Sequence, residues 1–72
     1  MSARPILENR LRVARAERSL SQDDLARLAG VTRQTISSIE TGQYCPSALL
    51  AFLLAKQLEM PVEELFHLKG AK

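Results

Sequence analysis

Aromatic residues are scarce in this chain of 72: it has no tryptophan, one tyrosine and two phenylalanines. Any core must therefore be built from aliphatic side chains. Leu, Ala, Ile and Val dominate a composition that is 46% apolar, a mixture suited to helices packed on helices. A single cysteine, Cys45, excludes an internal disulfide, and with one histidine, His67, there is no Cys/His metal centre and no cofactor implied. One unpaired thiol fits a reducing cytoplasm. The longest apolar run, Ala48 to Ala55, is far short of the roughly 20 residues that a membrane-spanning helix needs, and "MSARPILENR" has no signal-peptide core. The expectation is a soluble, cytoplasmic protein with no membrane partner. The sequence holds no nucleophile with a base, no acid–base pair and no phosphate-cradling glycine loop, so neither an enzyme nor a small-molecule ligand is expected.

What is present is distributed unevenly. The net charge is only +2, but all seven arginines lie between residues 1 and 44, whereas residues 45–72 carry three lysines and three glutamates. The N-terminal part is the one suited to meet a polyanion. A chain of this length forms one domain, able to bury only about 60% of its unfolded surface, and residues 1–72 read as that single unit.

Periodicity and capping residues predict an all-α fold of five short helices. The first is expected over Ile6–Arg18, with Pro5 at its start and Leu7, Leu11 and Ala14 on one face. Ser21 is placed as an N-cap, with Asp24 at the capping-box position and with Leu25, Leu28 and Ala29 facing inward. Gly30 can close that helix in the left-handed conformation. Val31 then enters the core and Thr32 caps the next helix, whose apolar seam is Ile36 and Ile39 and whose stop is Gly42. Opposite that seam, Arg33, Gln34, Ser37, Ser38 and Thr41 form a polar face able to hydrogen-bond. An ordinary solvated face would favour Glu, Lys and Ala over this Arg/Gln/Ser/Thr set.

The stretch "LSQDDLARLAGVTRQTISSIETG" resembles the helix-turn-helix of the phage repressor and Cro family, the Xre-type regulators. The motif occupies about residues 22–41. Counting from Gln22, the small residue for close helix crossing is Ala26, the turn glycine is Gly30, and the two core aliphatics are Ile36 and Ile39. The flanks "ENRLRVAR" and "PVEELF" resemble the minimal members of that family. The resemblance implies a compact λ-repressor-like DNA-binding domain.

It also implies roles. Gln22 matches the glutamine that grips a DNA phosphate, and Thr32, Arg33, Gln34 and Ser38 occupy the positions that enter the major groove. Arg33 suits guanine O6 and N7 and Gln34 suits adenine N6 and N7. Ser37, Thr41, Gln43 and Tyr44 are expected at phosphate, sugar or water. Arg15 and Glu40 resemble a pair that ties the first helix to the end of the recognition helix; a free phosphate-contacting Arg15 is the alternative. Two positions depart from the pattern: Ser19 stands where a glycine commonly ends the first helix, and Cys45 stands where a polar residue is common, readable as a redox switch or as a passive, buried or half-buried thiol.

The C-terminal helices are expected over residues 47–68. In the fourth, Ser47 to Glu59, apolar side chains cover about 300° of the circumference at 100° per residue. Leu50, Ala51, Leu54 and Leu58 form the core stripe, which leaves Leu49, Phe52 and Leu53 for a dimer interface. The last helix, Pro61 to about Leu68, should bury Val62, Leu65 and Phe66. The expected function is a homodimeric, sequence-specific binder of double-stranded DNA that reads a palindromic operator through Arg33–Thr41 and acts as a transcriptional repressor. The alternative is an antitoxin-like protein-interaction module that uses the apolar fourth helix.

Overall fold

Three helices begin where a hydroxyl can accept from an otherwise unpaired amide. In the computed structural model, which describes residues 6–70, Ser21, Thr32 and Ser47 accept from the amides of Asp24, Thr35 and Leu50 respectively. At Ser21 the box is reciprocal, because the Ser21 amide donates back to the Asp24 carboxylate at 2.9 Å. That backbone bond, more than any other contact, holds the Asp24 carboxyl below its ordinary pKa. Chain order is β1 (Ile6–Asn9), α1 (Leu11–Glu17), α2 (Gln22–Ala29), α3 (Arg33–Glu40), α4 (Ala48–Gln57), α5 (Val62–Leu65) and β2 (Phe66–Lys69).

The helices end as locally as they begin. Gly30 closes α2 at φ 74°, in the left-handed region, and its neighbour Val31 donates back to the Ala26 carbonyl. The turn between α2 and α3 is thereby only a few residues long. A Cβ at Gly30 would meet nothing within 4 Å, so Gly30→Ala is expected to cost only the left-handed strain, about 1–2 kcal/mol; an unchanged urea midpoint would show that the turn relaxes freely. After α1 the left-handed position is taken by Ser19 itself, at φ 55°.

The fold is not all-α. Residues Ile6–Asn9 are a strand, not the first turns of a helix, and they pair antiparallel with Phe66–Lys69 in the register Ile6↔Lys69, Leu7↔Leu68, Glu8↔His67, Asn9↔Phe66. The first helix consequently starts at Leu11, and Pro5 lies outside the described residues. The last helix is a single turn, Val62–Leu65, with Phe66 already extended. Leu7 still packs against the core, but from the ribbon.

One cluster fills the interior: Leu11, Ala14, Leu25, Ala26, Ile36, Ile39, Leu50, Leu54, Ala55, Leu58, Leu65 and Phe66. Ala29, Val31, Ala51 and Val62 are partly buried against it. Leu28 is not part of it, being 51% exposed. Helical rotation explains this: Leu25, Ala26 and Ala29 lie within about 100° of one another, whereas Leu28 falls about 60° beyond Leu25 on the far side. No helix among the described residues is long and apolar enough to cross a membrane.

Candidate nucleic-acid interface

With Ile36 and Ile39 anchored in the core at 0% and 1% exposure, the opposite face of α3 is presented outward. Arg33 and Gln34, in its first turn, are exposed, and among the described residues neither has a side-chain partner. Together with half-buried Ser37 they line a shallow polar depression. The guanidinium and the carboxamide are therefore free to present bidentate hydrogen-bonding edges from adjacent positions.

The threonine hydroxyls on this face are already engaged. Thr32 Oγ1 accepts from the Thr35 amide at 3.2 Å and lies 3.0 Å from Thr35 Oγ1. Thr41 Oγ1 donates to the Ser37 carbonyl at 3.1 Å. Ser38 is half-buried, and its carbonyl receives the amides of Gln43 and Tyr44 at 2.9 and 3.1 Å, which folds the following loop back on the helix end. Gln43 and Tyr44 project from that loop into solvent. Cys45 beside them is exposed, so the buried or half-buried thiol expected from sequence is not what this loop holds.

The end of α3 is held by a polar cluster. Arg15 Nε donates to Glu40 Oε2 at 2.7 Å and its Nη2 to Oε1 at 3.3 Å, while Nη1 donates to the Leu20 carbonyl at 2.8 Å. Only 16% of the Arg15 side chain and 5% of the Glu40 side chain are exposed. Arg15 is thus a paired guanidinium and not a free one. Gln22 Nε2 donates to Glu40 Oε1 at 3.1 Å, a contact that sequence reasoning did not contain. It places the first residue of α2 beside the last residue of α3.

A helix-turn-helix family model matches residues 11–65. The chain belongs to the helix-turn-helix family of transcriptional regulators. It is 47% identical over 60 residues to an HTH-type transcriptional regulator of Methanocaldococcus jannaschii, covering 83% of this chain and 91% of the relative. It is 41% identical over 63 residues to the HTH-type transcriptional regulator YgzD of Bacillus subtilis, covering 88% of this chain and 96% of that one. Among solved structures, the restriction-modification controller protein C.AhdI from Aeromonas hydrophila superposes with a TM-score of 0.75 at 38% identity, covering 79% of this chain and 86% of that chain.

Within this helix-turn-helix, α2 opens with acidic residues in its first turn. Its first amides, at Gln22 and Asp23, have no intrahelical acceptor, but two acids stand beside them. Arg27 lies 3.4 Å from both Asp23 and Asp24 and offsets that charge on the exposed side. Asn9 also escaped the sequence reading: its side chain bridges to the end of α3. An asparagine just ahead of an apolar helical run is a recognisable turn signal, its Oδ1 accepting from the amide two residues on, here that of Leu11, and placing Asn9 inside a longer helix concealed it.

Proposed function

We propose that the chain is a homodimer that binds a palindromic operator in double-stranded DNA, with α3 in the major groove, and represses by occluding a promoter. The observation that carries this reading is the pairing of an anchored back with a free front on α3. Ile36 and Ile39 fix the helix, and Arg33 and Gln34 stand exposed and unpaired at its N-terminal end. In the proposed complex Arg33 reads guanine O6 and N7, Gln34 reads adenine N6 and N7, and Ser38 supports them at the groove edge. Thr32 enters the groove with them, and Gln22, Ser37, Thr41, Gln43 and Tyr44 line the sugar-phosphate chains on either side. The likeness to a restriction-modification controller protein supports a regulatory reading of this domain.

The second subunit is proposed to dock on α4. Its inner side carries Leu50, Leu54, Ala55 and Leu58, all buried, whereas Leu49 is 73% and Phe52 61% exposed. Leu53 is half-buried beside them and Lys56 shares the outer face. Two apolar side chains this exposed, a turn apart, mark a surface that another protein covers. Two-fold pairing would set the two copies of α3 about 34–36 Å apart, one helical turn of DNA.

Selection of bound sequences from a random pool tests the DNA reading, with two inverted half-sites one turn apart as the expected product. Failure to enrich any sequence would defeat it. For the interface, Phe52→Glu is expected to weaken self-association by at least about tenfold, which corresponds to about 1.4 kcal/mol, and to leave the fold intact. Sedimentation at micromolar concentration reads this directly. The same apolar face also favours the second reading, an interaction module that holds a different protein; a wild-type chain that sediments as a monomer would favour that reading.

A further inference from the structure

The last turn of α3 is tied from two directions. Glu40 is gripped by Arg15 and Gln22. One residue earlier, the Ile39 carbonyl accepts from Asn9 Nδ2 at 3.0 Å across thirty positions of sequence, as well as from the Gly42 amide at 3.0 Å. The other end of the same carboxamide, Asn9 Oδ1, accepts from the Leu11 amide at 3.1 Å. Because both ends of a planar group are bonded, its orientation is set. Asn9 is also the last residue of β1, in register with Phe66, and the next amide, that of Arg10, donates to the Leu65 carbonyl at 2.9 Å. One side chain therefore joins the ribbon, the first turn of α1 and the C-terminal turn of α3.

The placement matters because α3 has only eight residues, about 12 Å of helix. Thr32 caps one end and the two isoleucines fix its rotation. Tilt about those anchors is controlled at the other end, where the Ile39 carbonyl sits. Hydrogen bonds to base edges tolerate only a few tenths of an ångström around about 2.9 Å, whereas long side chains follow a displaced phosphate easily.

We propose that Asn9 is a positioning residue for DNA readout: it holds the C-terminal end of α3 against the β1–β2 ribbon and so sets the angle at which Arg33 and Gln34 meet the bases. The inference rests on the DNA-reading function proposed above. Asn9→Ser separates the two bonds of the carboxamide, since a serine hydroxyl can still accept from the Leu11 amide but cannot reach the Ile39 carbonyl. Two measurements on the full chain decide it. Amide hydrogen exchange, without DNA, is expected to quicken about fivefold at Gly42, Gln43 and Tyr44 and to stay unchanged within α2. The ratio of affinity for the selected operator to affinity for random duplex is expected to fall about fivefold, with random-duplex affinity unchanged.

Unchanged exchange at the end of α3 overturns the proposal, and so does quickened exchange with an unaltered ratio, which would make Asn9 a helix cap only. If the wild-type chain prefers no sequence, the DNA reading fails by itself and exchange alone decides whether Asn9 positions α3. Should Asn9→Ser fail to fold, Asn9→Thr keeps a hydroxyl acceptor for the Leu11 amide, lacks a donor that reaches the Ile39 carbonyl, leaves the charge unchanged, and is judged by the same two measurements.

Discussion

Arg33→Ala is expected to reduce affinity for the selected operator by about 1–3 kcal/mol for each half-site, and to relax preference at one guanine in each. The size follows from geometry. A guanidinium that is exposed and, among the described residues, has no side-chain partner gives up none of their contacts when it binds, so the full bidentate interaction is available to distinguish guanine from the other bases. Stability should be unaffected, since the side chain supports nothing in the fold. Comparing base-preference profiles of wild type and variant measures the effect; a profile that keeps its guanine would remove Arg33 from readout.

Glu40→Ala is expected to destabilise the fold by about 1–3 kcal/mol, between the cost of losing an exposed ion pair and that of stranding one member of a fully buried one, because the Arg15–Glu40 pair is partly buried. With the carboxylate gone, Arg15 retains only the Leu20 carbonyl as partner, at a side-chain exposure of 16%, and Gln22 loses its acceptor. Removing both charges together, as Arg15→Met with Glu40→Leu, should recover most of that loss, because two apolar groups of similar volume leave no orphaned charge. DNA affinity should not recover with it, since Gln22 is then unheld. A urea-denaturation cycle over the two single variants and the double one gives the coupling. Single-variant losses below about 0.5 kcal/mol, as for many exposed pairs, would contradict the description of a partly buried pair that supports the fold.

What could be read from the sequence was what is decided within a few residues. Ser21 with Asp24, Thr32 and Gly30 each act on a backbone group no more than about four positions away, so their chemistry is visible in a short window. The free front of α3 was legible for the same reason, its residues alternating with the isoleucine seam. The ribbon was hidden by coincidence. Leu7, Leu11 and Ala14 fall at helical spacing even though Leu7 reaches the core from a strand, and the residues that make Ile6–Asn9 extended lie at the opposite end of the chain. The cluster around Glu40 was half visible: the family resemblance implied the Arg15–Glu40 pair, which charge alone does not single out, whereas nothing in the sequence named Glu40 as a partner of Gln22 or the Ile39 carbonyl as a partner of Asn9.

The ribbon also bears on how the chain folds. Its four pairs close loops of 57 to 63 residues, the differences between 66 and 9 and between 69 and 6, while the turn between α2 and α3 closes within a few. Such distant ends meet at an entropic cost that short turns avoid, and a two-stranded ribbon of four residues a side stabilises itself only marginally. On loop-closure cost the ribbon is expected to form after the helices and to open before them, which faster amide exchange in residues 6–9 and 66–69 than in α2 would show. Each opening would release the strand that carries Asn9 and leave the last turn of α3 tied through Glu40 alone among its side-chain bonds to other elements, with Ile36 and Ile39 still packed in the core.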